Sequence, residues 1–208
     1  LRSLIGVDIG TSGTKSIIAD ETGKVIASKT EEYPLYTPRP GWAEQKPEDW
    51  WEAVVKSVWA IVAKAQLPAE AYVGLSLSGQ MHGLVPMDKD MNVIRPAMLW
   101  CDQRTDRQCE WITQKAGGLD KLVSMTNNRM LTGYTGGKLL WLRDEEPQNF
   151  ERMKLFLNPK DYIRFKLTGE IALDVSDASG TGFFNVRERQ WSWELIDIAG
   201  LPHSIFPK

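Results

Sequence analysis

Leu4-Ile5-Gly6-Val7-Asp8-Ile9-Gly10-Thr11-Ser12-Gly13-Thr14-Lys15-Ser16-Ile17-Ile18-Ala19 is the stretch on which the fold turns. An apolar, β-rich run ends at a polar glycine turn, and the strand pattern resumes at Thr14. Asp20 to Lys24 supply a second set of turn residues before Val25-Ile26-Ala27-Ser28 returns, so the first 28 residues predict a three-stranded antiparallel meander. Gly10-x-x-Gly13 fits neither GxxxxGK[ST] nor GxGxxG, and a strand rather than a long helix follows it. A tight turn of this kind offers hydroxyls and converging backbone N–H groups, and its glycines let an anion approach closely. Asp8 at the strand end would repel phosphate unless Mg²⁺ lay between them, reached through water because Mg²⁺ gives up its hydration reluctantly. A plain hairpin turn with a structural Asp is the other reading, and the residue types alone leave both open.

Outward from that turn, Pro34, Pro38, Pro40 and Pro47 predict an extended surface loop. Pro47 suits the first turn of a helix, with Glu48 and Asp49 at its positive end. Trp51, Val54, Val55, Val58, Ile61, Val62 and Ala65 then recur at helical spacing to give a wide apolar stripe. Ala71–Ser78 reads as a strand running into Gly79-Gln80-Met81-His82-Gly83, and Leu84–Met87 with Val93–Ile94 as a hairpin. Helices are expected near 106–115, 137–143, 160–167 and 194–199, and a late strand at 183–186. Without repeats, low-complexity tracts or a Gly/Ser linker, the expectation is one α/β domain over residues 1–208.

Composition excludes several classes of function. Lys and Arg total 25 against 27 Asp and Glu in 208 residues, and a net charge of −2 gives no electrostatic reason to hold nucleic acid or an anionic membrane. Hydrophobic residues make up 42% and charged residues 25%, which argues against disorder. No apolar run approaches the ~20 residues of a membrane span. The strand begins by Leu4, leaving no room for a signal peptide, so a cytoplasmic location is expected. Two cysteines, Cys101 and Cys109, and two histidines make a disulfide framework or a Cys/His zinc site unexpected.

Five further motifs join the hairpin. Asp8-x-Gly10-Thr11-Ser12 after an apolar strand resembles the first phosphate-binding hairpin of the actin/Hsp70/sugar-kinase superfamily. Gly133-Tyr134-Thr135-Gly136-Gly137-Lys138-Leu139-Leu140-Trp141-Leu142-Arg143-Asp144-Glu145 resembles the first signature of the FGGY carbohydrate kinases. Ser78-Gly79-Gln80-Met81-His82-Gly83 is similar to the form taken by the D-xylulose kinases of that family. Leu99-Trp100-x-Asp102-x-Arg104, Pro159-Lys160-Asp161-Tyr162 and Ser176-Asp177-Ala178-Ser179-Gly180-Thr181 recur there too, in the same order.

That resemblance implies a ribonuclease-H-like α/β fold, a mixed sheet with flanking helices, and ATP-dependent phosphorylation of a sugar with Mg²⁺. It implies that Gly10, Thr11, Ser12, Gly13 and Lys15 face the ATP phosphates and that Asp8 lies near the metal; Lys15 stands where related kinases place Arg or another residue. Met81 and His82 match positions that contact the sugar, where a neutral imidazole can donate and accept and Met can pack on an apolar C–H face. Trp100, Asp102 and Arg104 are candidate sugar-site residues that packing or a surface ion pair would explain equally well. Lys138 and Trp141 read as structural, Met125, Met130, Trp191 and Trp193 as packing, and Cys101 and Cys109 as chemically silent. The family's general base is an Asp in a Gly-Gly-x-Asp-type segment, and residues 182–208 contain only Asp197, in a helical pattern. The expectation is therefore the N-terminal, sugar-binding part of a longer kinase, without the adenosine site and inactive alone. D-Xylulose is the expected substrate, with gluconate, ribulose or a non-catalytic sugar or nucleotide sensor as alternatives. Sugar and ATP are the expected partners; a homodimer is compatible, and nucleic acid and membrane are not expected.

Overall fold

A computed structural model describes residues 2–208. Strands β1 (Ser3–Ile9), β2 (Gly13–Asp20) and β3 (Val25–Glu32) form the expected meander, with Asp8 opposite Lys15 and Ile9 opposite Thr14. The proline-rich stretch runs extended but contains a short strand, β4 (Glu44–Gln45). Helix α1 (Pro47–Ala65) follows and closes at Gln66, whose left-handed backbone (φ 51°) returns its N–H to the Val62 carbonyl. After the crossover through α1, β5 (Tyr72–Gly79) pairs parallel with β1, giving the sheet order β3-β2-β1-β5.

Strand periodicity explains where Asp8 points. Ser3, Val7 and Ile9 are buried on β1, whereas Leu4 and Asp8 are exposed. Beneath the sheet, Ile18 and Ala27 meet Ile61 of α1, and Val7 and Ile9 join a larger core with Trp50 and Val54. The buried hydroxyls of Ser16 and Ser57 satisfy one another at 2.7 Å, linking β2 to α1 without an orphaned polar atom.

The second part of the chain sets seven helices around three two-stranded ribbons. Its elements are β6 (Val85–Met87), β7 (Ala97–Met98), α2 (Asp106–Lys115), α3 (Leu119–Thr126), α4 (Thr135–Glu145), α5 (Pro147–Arg152), β8 (Leu155–Leu157), α6 (Pro159–Thr168), α7 (Val175–Ser179), β9 (Phe184–Asn185), β10 (Gln190–Trp191) and α8 (Trp193–Ala199). The hairpin expected between Leu84–Met87 and Val93–Ile94 forms only narrowly, with Ile94 N–H donating to the Pro86 carbonyl and Asp88 N–H to the Asn92 carbonyl, both at 2.9 Å. Met87 and Val93 make one isolated bridge, and β6 takes β8 as its partner, about 70 residues away. β4 likewise pairs with β7 and β9 with β10. Met125, Met130, Trp141 and Trp191 are buried as expected, but Trp193 is not packed away: it is 40% exposed and stacks on His203.

Candidate active site

The glycine turn between β1 and β2 closes with the Gly10 N–H donating to the Gly13 carbonyl at 3.0 Å. The Tyr33 hydroxyl donates to the Gly10 carbonyl at 2.6 Å and fixes the turn from below, and burial pushes its pKa up to about 12. A side chain does not fit at Gly13, where a Cβ would lie 2.7 Å from the Glu31 carbonyl oxygen on β3. The exposed Asp8 carboxylate accepts a hydrogen bond from Ser78 Oγ at 2.8 Å. Asp8, Lys15 and Ser78 border one groove of about 400 Å³ on the open face of the sheet. An exposed carboxylate beside backbone amides and hydroxyls suits a hydrated Mg²⁺ carried on phosphates.

Past β5 the chain turns sharply at residues 80–83. His82 adopts φ 65°, the left-handed region that is uncommon for a residue with a side chain. Three side chains hold this turn: the Lys138 ammonium (2.8 Å) and the Thr135 hydroxyl (3.2 Å) donate to the His82 carbonyl, and the Asn158 amide donates to the Gly83 carbonyl at 2.7 Å. The His82 ring lies 4.7 Å from that of Tyr134, and Gly180 backs it so closely that a Cβ there would fall 2.2 Å from Cε1. Burial, and after it the nearby Lys138 charge, pushes the His82 pKa down to about 4, so the imidazole is neutral at physiological pH. Its Nδ1 is buried without a protein partner. Met81, 53% exposed, and His82 line a cavity of about 500 Å³ with Asn128, Tyr134, Lys160 and Asp177.

A hydrogen-bonded relay joins the two halves of the site. The indole of Trp50 donates to Gln45 Oε1 at 2.9 Å, which also accepts from Gln80 Nε2 at 3.0 Å. Gln45 Nε2 donates to the Thr11 carbonyl at 2.7 Å, and the Trp100 indole donates to Thr11 Oγ1 at 3.0 Å. Trp100, 46% exposed, thus stands against the β1–β2 turn.

Asp102 and Arg104 do not join it, which corrects their place as cleft residues. Both side chains are buried, and Arg104 spans both oxygens of Asp102, contacts Glu44 at 2.7 Å and lies 3.6 Å over the ring of Trp42. Asp102 also accepts the Ala43 N–H at 2.7 Å. The ion pair is therefore neither a surface pair nor a cleft wall. Lys138 and Trp141 are buried on α4, and burial raises the Cys109 thiol pKa to about 11, in keeping with a silent cysteine.

Several neighbours of the site escaped the sequence reading. Tyr33 and Gln45 belong to no motif, and only the fold carries them to the hairpin. Tyr134, Lys160, Asp177 and Gly180 sat inside quoted motifs without a role. Lys160 stands among three carboxylates, contacting Asp161 Oδ1 (3.4 Å), Asp177 Oδ2 (3.1 Å) and Asp174 Oδ2. Those acids could group around a metal ion, but the ammonium already supplies the positive charge among them.

The FGGY family of carbohydrate kinases, N-terminal domain, fits residues 3–208. The chain belongs to the FGGY carbohydrate kinases. The xylulose kinase of Bacillus subtilis (strain 168) is 41% identical over 207 residues, covering 100% of this chain and 41% of that protein. The xyloylose kinase from Brucella ovis superposes with a TM-score of 0.93 at 35% identity, covering 100% of this chain and 43% of that one. The gluconate kinase from Lactobacillus acidophilus superposes with a TM-score of 0.91 at 29% identity, covering 100% of this chain and 42% of that one. This FGGY chain therefore spans about two fifths of the length of the relatives it matches. The fold is the expected ribonuclease-H-like, actin-type architecture. No helix among the described residues is long and apolar enough to cross a membrane.

Proposed function

We propose that these residues form the sugar-binding part of a kinase that transfers the γ-phosphoryl group of ATP to a ketopentose hydroxyl, with D-xylulose the preferred substrate. One observation carries the reading. Leu77 and Ser78 border both the groove that holds Asp8 and Lys15 and the cavity that holds His82, and this adjacency supports reading the two as one cleft. In it the amides and hydroxyls of Gly10, Thr11, Ser12 and Gly13 cradle phosphate oxygens, and Lys15 adds positive charge on the same face. Asp8 would hold a hydrated Mg²⁺, which neutralises charge on the phosphates. The neutral His82 imidazole exchanges hydrogen bonds with sugar hydroxyls, Met81 covers an apolar C–H face, and Trp100 walls the side next to Thr11. The sugar oxygen then bonds to the γ-phosphorus, ADP leaves, and the hydroxyl proton passes to a general base. We place that base and the adenosine site in the part of the relatives that this chain does not span. Transfer of this kind depends on positioning and charge neutralisation, which two closing halves can supply.

The test is ADP formation by the full-length protein with D-xylulose, D-ribulose and gluconate. The expected result is a kcat/KM for D-xylulose at least about tenfold above the others. A preference for gluconate would overturn the substrate, and saturable sugar binding without turnover would make the chain a sensor.

A further inference from the structure

The structure assigns to Lys138 the role of a positioning residue for the sugar site: its Nζ ties the His82 turn to the Gly133 turn and so sets the imidazole in the cleft. The assignment rests on the reading of His82 as a sugar contact. Lys138 lies on α4, fully buried, with its chain directed at two backbone carbonyls. Nζ donates to His82 O at 2.8 Å and to Gly133 O at 2.5 Å. Thr135, one turn earlier on the same helix, adds a second donor to His82 O and itself accepts from Asn158.

Both carbonyls belong to turns that build the cavity. Gly133 sits against the backbone of Trp100, where a Cβ would come 2.6 Å from the Trp100 carbonyl oxygen. Tyr134 follows it and faces the imidazole at 4.7 Å. One amine thus ties together the turns that present His82 and Tyr134. These donors add to what holds the left-handed backbone of His82, a conformation uncommon for a non-glycine residue. The amine is itself poorly tolerated in this setting: burial pushes its pKa down to about 7. A methionine would fill the same space without that penalty but would leave the Gly133 carbonyl unpaired and the His82 carbonyl with Thr135 alone. Ammonium and neutral amine alike carry enough N–H groups for both acceptors.

The test uses the full-length protein and Lys138→Met. Hydrogen exchange without ligand is expected to accelerate in residues 80–84 and 132–135 while α1 keeps its protection. The KM for D-xylulose should rise about tenfold, as for loss of one buried hydrogen-bonded contact, with the KM for ATP unchanged. Added to His82→Ala, Lys138→Met should change the sugar KM by less than about twofold, because it acts through the residue already removed. Unaltered exchange in both turns, an additive double variant, or a general loss of protection with equal changes in both KM values would each overturn the assignment. If Lys138→Met fails to fold, Thr135→Val removes the second donor to His82 O and must loosen residues 80–84 in the same direction; unaltered exchange there sinks the proposal. Should the protein turn over no sugar, the proposed activity fails, while the exchange arm still decides whether Lys138 holds the turn.

Discussion

At the scale of single residues, His82 is held by what surrounds it, and its neighbours can be used to move it. Gly180 has φ −82°, a backbone that alanine adopts freely, so Gly180→Ala carries no backbone strain. Its new Cβ would fall 2.2 Å from His82 Cε1, and the ring tip is the part free to yield. The fold should survive and the imidazole should swing away. The expected outcome is a sugar KM raised about tenfold, with the melting temperature and the KM for ATP nearly unchanged. An unchanged sugar KM would place the imidazole outside the sugar site. Protonation gives a second handle. Burial and Lys138 hold the His82 pKa at about 4, against the 6.5 of an ordinary histidine, so the unfolded chain takes up a proton that the folded chain refuses. The contribution is fully present above pH 6.5 and is lost as pH falls through that value toward 4. Asparagine tolerates the left-handed backbone and does not titrate, so His82→Asn isolates the effect. Wild-type stability minus that of His82→Asn, from thermal unfolding, should decline steadily from pH 7 to 4.5; a flat difference would mean that the folded imidazole protonates normally.

Among elements, the β1–β2 hairpin shows what a sequence states openly. Its strands alternate, its turn residues are local, and α1 announces itself by Pro47, two acidic residues and a helical stripe. The 80–83 turn was legible for the same reason, since its chemistry lies in six consecutive residues. Pairing across the chain was not. Nothing near Val85–Met87 points to Leu155–Leu157, and the nearer Val93 pairs with Met87 alone, in a single bridge. Short helices such as α3, α5 and α7 are too brief for periodicity to show and are fixed by packing. The hairpin also carries a prediction. A Cβ on Gly13 meets the Glu31 carbonyl, a backbone atom that moves only if β2 and β3 part. Gly13→Ala should destabilise the protein by about 1–3 kcal/mol and raise the KM for ATP more than that for sugar. Urea unfolding and the two KM values check this, and a loss of stability under about 0.5 kcal/mol would show that the strands accommodate the methyl group.

Over the whole molecule, the buried charges around Arg104 tie distant parts of the chain together. Glu44 of β4 accepts from Arg104 at 2.7 Å and from Arg95 at 2.5 Å, and Arg95 reaches Glu146, just before α5, at 3.2 Å. Trp42 and Trp141 flank the Arg104 guanidinium at 3.6 and 4.9 Å, so α4 joins the same cluster. Asp102 and Arg104 looked like cleft residues because the motif that contains them also contains Trp100, and spacing along the chain cannot show that the two side chains turn inward. The inward reading predicts a particular division of effects. Arg104→Met keeps apolar bulk between the tryptophans but strands the Asp102 carboxylate in the interior without its cation, while Glu44 keeps Arg95. Removing one partner of a buried pair costs about 3–5 kcal/mol, because the remaining charge cannot be rehydrated. Arg104→Lys keeps a charge but loses the planar stack and the bidentate grip on Asp102, so its loss should be intermediate. In both variants, at a temperature where the protein stays folded, the sugar KM should change by less than about threefold, since Trp100 is disturbed only through its neighbours. Urea midpoints and sugar KM values for the pair decide the matter. An unchanged midpoint with a sharply raised sugar KM would return Arg104 to the cleft, with its guanidinium on the substrate.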